Sequence, residues 1–90
     1  HATAVVVETF RERQKKGEPD EVFATLYVER DGQKGIIIGK GGKDLRRLTE
    51  RAQAALENFL GRPVFLELWI KVRKDWRKDP KSLEEFGYHT

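Results

Sequence analysis

The chain has 90 residues, 38% of them hydrophobic and 37% charged, which suits one small domain with a single modest core and a heavily charged surface. It contains no cysteine, so a disulfide framework and a cysteine-based metal site are excluded, and no apolar run approaches the roughly 18 residues that a membrane span needs. The net charge of +3 is unevenly spread: residues 1–31 carry five basic and seven acidic groups, whereas residues 32–51 and residues 71–81 each carry six and two. The two positive blocks either attract a polyanion or are plain solvated faces, and charge alone leaves both open. No signal peptide opens the chain, and the absence of methionine predicts a piece of a longer protein or a processed product.

Residues 3–10 are rich in β-branched and aromatic side chains and predict a strand. Residues 13–21 are polar, with Gly17 and Pro19, and predict a loop. Residues 22–30 predict a second strand, with Val22, Ala24, Leu26 and Val28 on one face and Phe23, Thr25, Tyr27 and Glu29 on the other. Asp31-Gly32 is expected to turn the chain. The run Ile36-Ile37-Ile38 is too short for periodicity to decide between helix and strand. Over residues 43–60, Leu45, Leu48, Ala52, Ala55, Leu56 and Phe59 recur at helical steps, Gly61 ends the helix, and Pro63 prevents its continuation. Residues 64–73 predict a third strand, with Val64, Leu66, Leu68, Ile70 and Val72 facing away from Phe65, Glu67, Trp69, Lys71 and Arg73. Residues 79–88, with Pro80 near their start, predict a short terminal helix. The long helical connection between the second and third strands permits them to run parallel. The expected fold is therefore α+β: a three-stranded mixed sheet with helices packed on one face, plus a short C-terminal helix. The alternating strands show no surplus of apolar side chains for a protein-docking patch.

The cluster Gly39-Lys40-Gly41-Gly42 invites comparison with two phosphate loops. A Walker A loop needs glycines five positions apart, then Lys and a hydroxyl residue; here Gly35 and Gly39 are four apart and Lys40 is followed by Gly41. A dinucleotide fingerprint needs glycine where Asp44 stands. Nucleotide hydrolysis is not expected. Backbone N–H groups bared by the glycines can face a phosphate, helped by the positive end of the helix starting near Lys43, or the glycines serve only a tight joint.

The context of the cluster resembles a known pattern. Ile37-Ile38, the Gly-X-X-Gly loop and the apolar Leu45 are similar to the signature of the KH domain, and two strands before the loop with one after match its type II arrangement over residues 3–73. The first helix of that arrangement would precede His1. Residues 33–42, 64–72, 74–77 and 83–88 more closely resemble the KH domain of the Era family of GTPases. That family carries this domain after a GTPase domain and binds the 3′ end of small-subunit (16S) ribosomal RNA in ribosome assembly. The resemblance implies a single KH domain over residues 1–90 that binds single-stranded RNA, is not itself an enzyme and needs no cofactor. It further implies a cytoplasmic monomer whose partner is the small ribosomal subunit, any membrane association belonging to the parent protein. A KH-fold adaptor for another RNA or for a protein is the alternative. Thr49 departs from the glycine common in relatives, which leaves the surface of the long helix open.

The loop of such a domain clamps the backbone of four nucleotides. The resemblance implies that Gly39, Lys40, Gly41, Gly42 and Lys43 hold phosphates, that Ile37 and Ile38 with Val28 form an apolar floor for bases, and that Arg46 and Arg47 reach phosphates or base edges. For the isoleucines the plainer reading is core packing, and for the basic residues a solvated helix face. Lys74, Trp76 and Arg77 are candidates for a second RNA contact. Trp69, beside basic residues, can stack on bases but is rather expected to be covered by the terminal helix through Leu83 or Phe86, and Tyr88 is open between packing and stacking. His1 and His89 lack ligand partners nearby, so no metal is expected, and Asp75 and Asp79 lack an accompanying nucleophile.

Overall fold

Three strands, β1 (Thr3–Arg11), β2 (Asp20–Val28) and β3 (Val64–Val72), lie side by side in chain order in a computed structural model that describes residues 3–87. β1 runs antiparallel to β2, from Thr3 opposite Val28 to Arg11 opposite Glu21, with an irregularity between Val7 and Thr9. β2 and β3 run parallel, from Asp20 beside Val64 to Val28 beside Val72. This is the mixed sheet the sequence predicts, and the parallel pair requires the intervening chain to cross over as helix. That chain forms α1 (Asp31–Ile38), a tight 3-10 turn at Lys40–Gly42, and α2 (Lys43–Leu60).

Asp31-Gly32 is not a turn. The chain passes directly from β2 into α1, because the Gln33 carboxamide oxygen accepts the backbone N–H groups of Glu29 and Arg30, each at 3.0 Å. A side chain three residues inside the helix thus caps its start, and Asp31 in the first turn suits the positive helix end. Gly61, at φ 72°, ends α2 by donating its N–H to the Glu57 carbonyl at 2.8 Å.

The core lies between the helices and one sheet face. Val22, Ala24, Val64 and Leu66 are buried beneath Ala52, Leu56 and Leu60 of α2. Leu26, Val28 and Ile70 are buried beneath Ile37, Ile38 and Leu45, at the junction of α1 and α2. Polar side chains of α2 also reach the outer edge of β3: Gln53 accepts the Leu66 N–H and Glu57 the Val64 N–H, both at 3.0 Å. At the start of β2, the buried Asp20 accepts the Arg13 N–H at 2.8 Å and pairs with the Arg62 guanidinium at 2.6 Å. The Arg13 N–H first, then Arg62, hold its carboxyl below the usual carboxylate range, against the opposing effect of burial.

The apolar stripe of α2 is wider than the surface it covers. Leu48, Ala55 and Phe59 stay exposed, Phe59 at 85%, and so do Val5, Val7 and Phe10 on the helix side of β1. Between α2 and β1 runs an open apolar groove of about 420 Å³. The surplus apolar surface that strand alternation did not predict is therefore present, because neither helix extends over the β1 edge.

The C-terminal helix, α3 (Pro80–Glu85), is shorter than expected and belongs to the other sheet face. Asp79 caps it by accepting the Lys81 N–H at 3.1 Å and the Ser82 hydroxyl at 2.8 Å. Phe86 packs on Tyr27, at 4.8 Å between ring centres, and edge-on to Trp76, at 5.1 Å. The Arg73 guanidinium lies against both the Tyr27 and Phe86 rings and pairs with Glu85 at 2.6 Å. His1, Tyr88 and His89 lie outside the described residues. Among the described residues no helix is long and apolar enough to cross a membrane.

Candidate nucleic-acid interface

The joint between α1 and α2 is built by glycine backbone geometry. The Gly39 N–H closes α1 on the Gly35 carbonyl at 2.9 Å, and Gly39 then takes φ 73°, ψ 179°, a conformation essentially reserved for glycine. A Cβ at Gly39 would also collide with the Asp44 side chain. Gly41 (φ 63°) and Gly42 (φ 78°) follow in the left-handed region, with open space around them. No side chain caps α2, whose N-cap is Gly42; the Lys43 N–H turns back to the Lys40 carbonyl, and the positive end of the helix lies at this joint. Lys40, Lys43, Arg46 and Arg47 are exposed around this point, and none of the four forms an ion pair among the described residues. No described residue neutralises them, so their charge faces solvent.

Beside the loop lies a groove of about 370 Å³, lined by Lys34 and Ile38 of α1, Leu45 of α2, and residues 67–70 of β3. Its β3 wall is a free sheet edge. The odd-numbered positions flanking β3 bond to β2 or its lead-in: the Pro63 carbonyl accepts the Asp20 N–H, and the Arg73 N–H donates to the Val28 carbonyl. The even-numbered Val64 and Leu66 turn their N–H groups outward to α2. The backbone groups of Leu68 and Ile70 continue that outward row along the groove. The site thus joins a basic loop, an apolar wall and an edge of hydrogen-bonding backbone.

Several residues take places other than those expected. Ile38 lines the groove, but Ile37 packs on the core, and Val28 is fully buried and forms no floor. Ile36, at 74% exposure, points to solvent. Trp76 is 2% exposed, packed against Phe86, and is not a surface contact for RNA. Arg77 is tied to Glu29 at 2.9 Å, while exposed Lys74 borders a separate polar cleft with Glu29, Arg30, Asp31 and Asp75. Trp69 is not covered by α3. Phe86 goes instead to Tyr27 and Trp76, leaving Trp69 57% exposed at the groove. Thr49 donates its hydroxyl to the Leu45 carbonyl at 2.8 Å and leaves α2 continuous.

Sequence reasoning missed Lys34, Leu45, Glu67, Leu68, Trp69 and Ile70 as groove residues. Lys34 and Ile38 are four residues apart, which puts them on one face once α1 is recognised as a helix. Leu45 had a visible signal as the apolar third residue of α2. No local pattern marks the β3 residues, since only the crossover brings them beside α1.

Sheet order and the glycine joint between two helices define a KH-type fold, and the KH domain family matches residues 1–77; the chain belongs to that family. Among curated relatives it is similar to GTPase Era of Heliobacterium modesticaldum and of Mycobacterium tuberculosis, each 47% identical over 88 residues, and of Mycobacterium avium, 48% identical. Each comparison takes in 98% of this chain and 29% of the relative, so the chain spans less than a third of their length. Two solved structures share its fold at a TM-score of 0.89 and 39% identity, over 98% of this chain and 29% of theirs. One is a variant of Aquifex aeolicus Era bound to GDP and aluminium fluoride, and the other is Era with MgGDPNP and nucleotides 1506–1542 of 16S ribosomal RNA.

Proposed function

We propose that the chain is a single KH domain that binds single-stranded RNA, the 3′ end of 16S ribosomal RNA, and that it is the RNA-reading part of an Era-like GTPase acting in assembly of the small ribosomal subunit. One observation carries this reading: an exposed Lys40, in no ion pair among the described residues, on a loop of positive-φ glycines, opening beside an apolar groove whose far wall is the β3 edge. Gly39, Gly41 and Gly42 bare the backbone, and Lys40 and Lys43 hold phosphates there. Arg46 and Arg47 continue the positive track. Bases enter against Ile38 and Leu45 and meet the backbone edge of β3. The solved Era complex with 16S nucleotides supports the choice of RNA.

Hydrolysis of GTP belongs, in this reading, to the part of the relatives that this chain does not span. The apolar groove between α2 and β1 is the seat of the first helix of the type II arrangement. A KH-fold adaptor for a protein is the second reading, favoured by that same exposed surface.

Fluorescence anisotropy with the 16S 3′-end sequence tests the main proposal. The double variant Lys40→Asp, Gly41→Asp should bind at least about tenfold more weakly than the wild type, since it replaces a phosphate contact by repulsion. Equal binding by both proteins would remove the loop from the site. Absence of binding across a salt series would favour the adaptor, and GTP turnover by this chain would overturn the assignment of hydrolysis elsewhere.

A further inference from the structure

We propose that β3 carries a nucleobase-stacking subsite, Trp69 with Phe65, which takes bases of the RNA strand as it passes out of the groove and over the sheet edge. The inference rests on the RNA reading above and extends it beyond the nucleotides clamped by the loop.

Trp69 is a large aromatic side chain left 57% exposed although α3 packs close by on the same sheet face. Its indole N–H donates to the Glu67 carboxylate at 2.8 Å, which fixes the ring's orientation before any ligand arrives. Both residues line the groove opposite Lys34, Ile38 and Leu45, so the aromatic surface is continuous with the groove. Two positions from Glu67 on the same face stands Phe65, 46% exposed and packed edge-on to Phe23 at 6.4 Å. Phe65 and Trp69 are thus two aromatic platforms roughly 13 Å apart along one strand.

Charge decides which part of a nucleotide meets them. Lys34 stands on the α1 wall and the Glu67 carboxylate on the β3 wall. Phosphates are drawn to the lysine side and repelled from Glu67, which turns the bases toward β3. Every base has a π face, so this subsite lengthens the RNA footprint without adding strong sequence preference. A protein partner would also use exposed aromatic residues, but it would not require continuity with a groove walled by a lysine.

Single-stranded RNAs of four and ten nucleotides, titrated against the 90-residue chain, separate the possibilities. Trp69→Ala should weaken the ten-nucleotide RNA about tenfold and leave the four-nucleotide RNA within about twofold. Trp69→Phe should keep most of the affinity, and the ten-nucleotide RNA should quench tryptophan emission of the wild type but not of Trp69→Phe. The Lys40→Asp, Gly41→Asp variant should lose both RNAs. If the wild type binds neither RNA, the RNA reading itself falls and this subsite with it. If the wild type binds and the loop variant does not, while Trp69→Ala binds the longer RNA like the wild type and the wild-type emission is not quenched, the subsite alone is overturned. An equal loss at both lengths places Trp69 inside the clamp and overturns the extended footprint. Should Trp69→Ala fail to match the wild type in Tm, the quenching comparison with Trp69→Phe decides.

Discussion

Gly39 combines two constraints that are separable by mutation. Its φ of 73° with ψ of 179° lies in a region other residues avoid, and a Cβ there meets the Asp44 side chain. Gly39→Ala should cost about 1–3 kcal/mol from backbone strain alone. Adding Asp44→Ala should recover only the part due to the carboxyl group, because the Cβ of residue 44 itself stands 2.8 Å from the added Cβ, and urea unfolding of the single and double variants can read this; full recovery would place the whole cost in the carboxyl clash. The glycine cluster was plain in the sequence, but the division of labour within it was not. Gly41 and Gly42 have room for a side chain and are constrained only by φ, whereas Gly39 is constrained twice. That difference depends on where Asp44 lies, in the first turn of α2.

Among the elements, α2 was the easiest to read and the easiest to over-interpret. Its stripe runs from Leu45 to Phe59, yet Leu45, Ala52, Leu56 and Leu60 are the ones that pack on the core, while Leu48 is left beside Val5 and Val7 in the open groove and Phe59 is exposed. A helix seated in that groove would bury several of these side chains, each able to contribute about 1.5–3 kcal/mol when fully covered. After the cost of ordering the added segment, a net gain of about 2 kcal/mol corresponds to a Tm rise of roughly 8–16 °C. A version extended at its N-terminus by the residues that precede the matched segment in GTPase Era of Heliobacterium modesticaldum should show this rise together with reduced dye binding to apolar surface. An unchanged Tm would remove the first-helix proposal and strengthen the adaptor reading. By contrast, α1 was not legible. Its isoleucine run fits either period, Gly32 and Gly35 weaken helix propensity, and its cap comes from Gln33 and not from a conventional residue before the helix.

Over the whole molecule, the charge blocks separate into two different surfaces. Among the described residues, the block around the loop forms no ion pair, whereas in the later block Arg73 and Arg77 are engaged by Glu85 and Glu29. With Lys40, Lys43, Arg46 and Arg47 on phosphates, the logarithm of RNA affinity should fall with the logarithm of salt at a slope of about −3. Lys40→Ala should make that slope shallower by about 0.7, while Lys74→Ala should leave it unchanged. A slope insensitive to Lys40 would take that residue off the phosphate backbone.

The chain by itself determined the strands, the long helix and the glycine loop, because each rests on a local period or a local backbone demand. Val22 to Val28 and Val64 to Val72 alternate visibly, and Gly39 to Gly42 mark a joint that few other residues can make. Tertiary structure alone decided what each aromatic and each isoleucine does. Trp76 and Trp69 both sit among charged neighbours in sequence, yet Phe86 buries one and leaves the other bare at the groove. Ile36, Ile37 and Ile38 are chemically alike, and only the packing of α1 on β2 and β3 sends them to solvent, core and groove in turn. Burial is a property of what comes together across the parallel crossover, and no window of neighbouring residues contains it.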